Sequence, residues 1–356
     1  MTPAQSLRIG TSITEIGDFE LSNGEVLPNV AIAHRSWGRL APTGTNAVVV
    51  CHALTGSPDV DQWWPDLLGS GRALDPDRDF IICCNILGSC YGSTGPASTK
   101  PGSGVRWGGD FPAVTVADAV RAQRIVLDTL GVRGIRLVAG GSLGGMQALE
   151  WALQDHRVAA AAVIAAPARH SAWCIAQSEA QRTAIAADPN WRGGYFESDH
   201  PPAAGLAAAR KMAMCSYRTP RSLGDRFGRR HTEDGVFEIE AWLDHHGGAL
   251  VERFDAASYV LLTRTMDSHD VGRGRGGIKR ALNSLEVPVL AVAIDSDGLY
   301  PPDEQLEIAE LAPLGELATI RSPHGHDAFL IETADLDGQL RSFRSRASAY
   351  RRRLAC

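Results

Sequence analysis

Ser142 stands between paired glycines, in Leu137-Val138-Ala139-Gly140-Gly141-Ser142-Leu143-Gly144-Gly145-Met146-Gln147. A serine hydroxyl is a weak nucleophile until it is held in the open and given a base. Here an apolar run of strand length ends at the glycines, and a helical pattern begins after them. That layout predicts a nucleophile elbow, a strained strand-to-helix turn that lifts Oγ clear of the sheet. Small residues two before and two after the serine let such a turn close. Ser142 is the only serine in the chain with glycine at both of those places. The competing reading is a glycine-rich turn that only lets a helix pack close to a sheet.

A nucleophilic serine needs a general base, and the base needs a carboxylate to fix its tautomer. In an α/β-hydrolase arrangement these follow in the order Ser, Asp/Glu, His. The last strong strand pattern, Val289–Ile294, runs into Asp295-Ser296-Asp297-Gly298-Leu299-Tyr300-Pro301. A carboxylate just past the C-terminal end of a strand lies where α/β ligands bind, so Asp295 and Asp297 both qualify. Downstream, Ser322-Pro323-His324-Gly325-His326-Asp327-Ala328-Phe329 follows the short strand pattern Ala318–Ile320 and offers two histidines. His326 is the better base, because Gly325 gives its loop freedom and an apolar helix start follows. An oxyanion hole needs the backbone N–H after the nucleophile, from Leu143, and a second from a loop after an early strand. Cys51-His52-Ala53-Leu54-Thr55-Gly56 fits that place, with Leu54 as donor and His52 orienting the loop.

These residues require a sheet to carry them. Asn23-Gly24 between Phe19–Leu21 and Val30–Ala33 is a hairpin signal. Continuous apolar runs at Ala47–Cys51, Asp79–Cys84, Ile135–Ala139, Ala160–Ile164 and Val289–Ile294 read as strands buried on both faces, as in parallel sheets. Between them, Val114–Leu130 carries an apolar stripe ended by Gly131, and Met146–Leu153 continues the elbow as a helix. Alternating strands and helices predict an α/β fold, a mostly parallel sheet flanked by helices. From about 171 to 280 the pattern changes to helical stretches, Ala203–Tyr217 and Glu238–Leu250, with the loop Gly272–Gly277. This segment is expected to be a helical lid inserted into a core formed by residues 1–170 and 281–356.

The chain has 356 residues, 44% of them hydrophobic and 21% charged, with a formal net charge of -6. That is ordinary for a globular protein and lacks the basic excess of a nucleic-acid binder. No apolar run reaches the roughly 18 residues of a membrane span, and Met1-Thr2-Pro3-Ala4-Gln5 has no signal-peptide pattern. Seven cysteines without Cys-x-x-Cys spacing argue against a disulfide framework and against a metal site. A cytoplasmic, reduced protein is expected. Arg351-Arg352-Arg353 near the C-terminus read as a solvated helix end, with an anion site for CoA phosphates as the alternative.

Taken together, the motifs resemble the homoserine O-acetyltransferase family of α/β-hydrolase-fold enzymes. The resemblance runs nearly end to end, through His52–Gly56, Tyr91-Gly92-Ser93-Thr94-Gly95-Pro96, Gly140–Gln147, Phe254-Asp255-Ala256-Ala257-Ser258-Tyr259, Ser296–Pro301 and Gly325–Phe329. It implies ping-pong transfer of an acetyl group from acetyl-CoA, through acyl-Ser142, to the hydroxyl of L-homoserine, with no further cofactor. It assigns the triad to Ser142, Asp297 and His326. It implies that Arg210, Tyr217 and Asp327 hold the amino acid, in keeping with a guanidinium fork for its carboxylate and a carboxylate for its ammonium. It also implies a homodimer through the lid helices. Two departures stand out: Leu143 replaces a frequent methionine beside the nucleophile, and Ala257 a frequent asparagine. The rival readings are a serine acceptor, a succinyl donor, a plain esterase and a non-catalytic binding module.

Overall fold

The computed structural model describes residues 10–354, with the backbone alone for 351–354. The expectations for Met1–Gln5 and for the Arg351–Arg353 side chains lie outside what is described. β1 (Ser12–Glu20) and β2 (Val26–Trp37) form the hairpin signalled by Asn23-Gly24, with Phe19 opposite Leu27 and Glu20 opposite Val26. Then follow β3 (Ala47–Cys51), α1 (Val60–Trp63), β4 (Phe80–Cys84), α2 (Val116–Thr129), β5 (Ile135–Gly141), α3 (Leu143–Gln154) and β6 (Ala161–Ile164). Six helices come next: α4 (Ala172–Ala186), α5 (Ala203–Tyr217), α6 (Pro220–Phe227), α7 (Glu238–Val251), α8 (Ala256–Asp267) and α9 (Ile278–Asn283). The chain returns to the sheet with β7 (Val289–Ile294), α10 (Pro302–Leu311), β8 (Gly315–Ile320), α11 (Ala328–Ile331) and α12 (Thr333–Leu354).

The eight strands form one sheet in the order β1-β2-β4-β3-β5-β6-β7-β8. β2 pairs antiparallel with both β1 and β4, and every other pair is parallel. Every residue of β3, β4, β6 and β7 is buried. Their β-branched, alanine-rich composition follows from helices covering both faces of the sheet. α2 begins at Thr115, whose side chain accepts from the Asp118 amide while Asp118 bonds back to the Thr115 amide, a capping box. Asp118 also accepts from the Ser22 amide at 2.8 Å, which ties the hairpin to α2.

The parallel order places the C-terminal ends of β3, β5, β7 and β8 on one edge, the edge where open α/β sheets bind ligands. The segment between β6 and β7 carries α4 to α9, with α5 packed against both α4 and α7. The Gly272–Gly277 loop anchors the end of this segment to the sheet domain, because Arg275 grips Glu150 of α3 at 3.0 and 2.7 Å. No helix among the described residues is long and apolar enough to cross a membrane.

Candidate active site

Ser142 is the single residue between β5 and α3, and its backbone has φ 58° and ψ -125°. A residue with a Cβ resists that conformation, and holding it costs on the order of 1–3 kcal/mol. The surroundings enforce it. The Ser142 amide donates to Ile164 O of β6 at 2.9 Å, and the Ser142 carbonyl accepts the Gly145 and Met146 amides that open α3. A Cβ on Gly144 would lie 2.1 Å from the Cys51 carbonyl oxygen, and one on Gly140 would lie 2.3 Å from the Gly144 carbonyl oxygen. Only glycine lets α3 approach the end of β3 this closely, so the spacing around Ser142 is a steric requirement of the turn.

The base and its carboxylate come from two neighbouring strand ends. Asp297, in the turn after β7, accepts the amides of Leu299 and Tyr300 on Oδ1 at 2.8 and 3.0 Å. Its Oδ2 lies 2.7 Å from His326 Nδ1, and both side chains are buried. A carboxylate at that nitrogen holds the proton on Nδ1 and leaves the Nε2 lone pair to act as base. The rings of Tyr300, Phe329 and Tyr217 surround the imidazole at 5.1, 5.5 and 5.6 Å between centroids. Phe329 also packs against Gly141, beside the nucleophile. The two residues that competed for these places have other partners. Asp295 accepts the Ser322 amide at 3.0 Å and so joins the turns after β7 and β8. His324 Nδ1 is 2.9 Å from the hydroxyl of Ser222 in α6.

Leu143 is the first residue of α3, and Leu54 sits in the turn closed by the Gly56 amide on the Ala53 carbonyl. Among the described residues neither amide donates to a backbone carbonyl, as expected of a pair aimed at a developing oxyanion. His52 fixes that turn. It is fully buried, its Nδ1 lies 2.8 Å from the Ala53 carbonyl, and its Nε2 accepts the Ile86 amide at 3.1 Å. Burial pushes its pKa down to about 4. His52 is therefore a neutral strut with its lone pair already occupied, not a second base.

With this geometry in place, the likeness to known proteins becomes informative. Residues 46–333 match the model of the alpha/beta hydrolase fold family. A homoserine O-acetyltransferase of Trichormus variabilis is 54% identical over 334 residues, 93% of this chain and 92% of its own. The chain belongs to the homoserine O-acetyltransferase family. Among solved structures, a homoserine O-acetyltransferase from Staphylococcus aureus superposes with a TM-score of 0.78 at 30% identity, over 94% of each chain. Esterase E22 superposes with a TM-score of 0.87 at 25% identity, over 94% of this chain and 99% of its own. Proteins named as a transferase and as an esterase thus share this fold.

Of the residues singled out from the family resemblance, Arg210 lies mid-way along α5 and Tyr217 at its end. Arg210 and Tyr217 are two turns apart, with the guanidinium carbon 5.8 Å from the tyrosine ring. Tyr217 faces the His326 ring, and Asp327 follows that histidine in the chain. Burial raises the Asp327 pKa, against the opposing pull of His326, Arg218 and Arg210. Burial likewise raises the Tyr217 phenol, so it stays a neutral hydrogen-bonding group.

Sequence reasoning passed over one residue here and understated another. Arg218, next to Tyr217, puts Nε 3.6 Å from Asp327 Oδ2. A second charged side chain bordering the Tyr217 position was the available signal. Gly325 was read as loop freedom, and its role is more definite. It has φ 68°, and a Cβ there would stand 2.8 Å from the Tyr217 carbonyl oxygen.

Proposed function

We propose that this enzyme transfers an acetyl group from acetyl-CoA to the side-chain hydroxyl of L-homoserine, giving O-acetyl-L-homoserine for methionine synthesis. Ser142 Oγ attacks the thioester carbonyl while its proton passes to His326 Nε2. The Leu54 and Leu143 amides stabilise the tetrahedral oxyanion, and Asp297 stabilises the imidazolium. The C–S bond breaks, and the CoA thiolate leaves with the proton from His326. In the second half, His326 takes the proton of the homoserine hydroxyl, whose oxygen attacks acetyl-Ser142. Collapse releases the ester and returns the proton to Ser142. No step calls on a cofactor beyond acetyl-CoA as co-substrate.

The observation that carries this reading is the approach of Tyr217 and Arg210, from the lid helix, to the loop of His326 and Asp327. An amino-acid zwitterion needs a cation for its carboxylate and an anion for its ammonium, and a hydrolase admitting water needs neither. Arg210 and Asp327 supply that pair. The likeness to esterase E22 keeps hydrolysis as the second reading, in which water intercepts the same acetyl-enzyme.

Pairing of two copies through the lid helices belongs to the proposal. So does a cytoplasmic location, where acetyl-CoA and free amino acids meet. The test crosses acetyl-CoA and succinyl-CoA with homoserine, serine and water in steady-state kinetics. The highest kcat/KM is expected for acetyl-CoA with homoserine. Preference for serine would overturn the acceptor, preference for succinyl-CoA the donor, and equal turnover without an amino acid the transferase reading.

A further inference from the structure

Arg218 is the residue that closes α5, and it reaches Asp327 from the lid side. Only 10% of its side chain is exposed, and its Nε stands 3.6 Å from Asp327 Oδ2. Nε and Nη1 are both shut off from water and have no hydrogen-bond partner. The ring of Trp242 in α7 lies to one side, 6.0 Å from the guanidinium carbon. A guanidinium withdrawn from water with idle donors is costly, and a native fold that keeps one calls for an explanation. Two arginines, 210 and 218, act on the buried carboxylate of Asp327.

We propose that Arg218 is a positioning residue for the acceptor, anchoring one oxygen of Asp327 so that the other meets the acceptor's α-ammonium. This rests on the amino-acid acceptor reading given above. Arg218 has no part in the chemistry at Ser142, and its effect passes through Asp327 alone. The groups that act on Asp327 are His326 beside it, Asp297 behind the histidine, and Arg210, Tyr217 and Arg218 from α5 and its end. Burial and Asp297 favour the protonated carboxyl, and the cations oppose them. Removing Arg218 tips that balance toward a neutral Asp327, which attracts an ammonium poorly.

The experiment separates the two half-reactions in the full-length enzyme. Acetylation of Ser142 is followed by rapid quench and mass spectrometry with acetyl-CoA alone. Acceptor kinetics are followed with L-homoserine across the acidic limb of the pH profile. For Arg218→Gln, kcat/KM for homoserine is expected to fall about 10-fold, mostly through KM, as for loss of a close charge beside a buried carboxylate. The acidic limb should move to higher pH, while Ser142 acetylates at the wild-type rate. Arg218→Lys keeps the charge but not the planar fork, so it should restore the pH limb and only part of KM. An unchanged KM and pH limb in Arg218→Gln would overturn the proposal, as would equal loss in both half-reactions, which marks a structural role. If the wild-type acetyl-enzyme turned over with no amino acid, the acceptor reading itself would fall, and this proposal with it.

Discussion

The strand-end half of the site and the lid half are built in different ways. At the strand ends each group is held by short, well-aligned bonds, many of them from backbone. Asp297 takes two amides and one imidazole within 3.0 Å, and Ser142 is clamped by β6 and by the first turn of α3. Around Asp327 the charged groups from the helical segment stand farther off and act through side chains: Arg218 Nε is 3.6 Å from its carboxylate, and the Arg210 guanidinium lies over the Tyr217 ring. Backbone clamps fix a geometry whatever side chains surround it, so the acyl-transfer apparatus can recur in an esterase of the same fold. Side-chain charges choose a partner, and they can change without disturbing the elbow. On the function proposed above, one half would set what chemistry is done and the other to whom.

That division can be broken by experiment. The largest effect is expected at Ser142. Ser142→Ala should lower kcat by about 10⁴-fold or more and abolish acetyl-enzyme in the mass spectrum. Labelling of another residue would place the nucleophile elsewhere. Next, Asp297→Asn should keep the fold but favour the wrong His326 tautomer, costing about 10³- to 10⁴-fold in both half-reactions. A loss confined to homoserine turnover would contradict the division. Asp327→Asn should act on one side only, raising KM for homoserine about 10- to 100-fold while Ser142 still acetylates at its normal rate.

The smallest effect concerns stability. Glu304 is partly buried in α10 near Asp297, and its pKa is raised to about 7, chiefly by burial. An acid whose pKa is raised by folding supports the fold while protonated. That contribution is complete below its unfolded value and fades as pH rises through about 7. Glu304→Gln should therefore raise Tm at pH above 7 and leave it little changed in mild acid, as thermal melts at two pH values would show. An equal shift at both would assign the effect to packing.

Much of this fold was legible in the chain because it rests on local rules. The apolar runs that read as strands are strands, buried because helices cover both faces, and Asn23-Gly24 makes the hairpin. The helix expected over Ala203–Tyr217 has those bounds, and the one expected over Val114–Leu130 runs from Val116 to Thr129. What stayed illegible depends on the direction of a side chain in a loop. Asp295 and Asp297 are two residues apart past the same strand, as are His324 and His326 in another loop, and composition cannot say which faces inward. The structure separates them through their partners, Ser322 and Ser222 for one member of each pair and each other for the second. Arg218 was hidden for a different reason. A charged residue at a helix end usually caps or solvates, and only its distance to Asp327, remote in sequence, marks it out.

Gly325 carries a consequence for redesign. A side chain at Gly325 would run into the Tyr217 carbonyl at the end of α5, and its positive φ disfavours one in any case. The lid is therefore not an exchangeable cassette. A chimera that imports foreign lid helices to change the acceptor must import the matching His324–Asp327 loop as well. Otherwise the seam falls on the peptide next to His326.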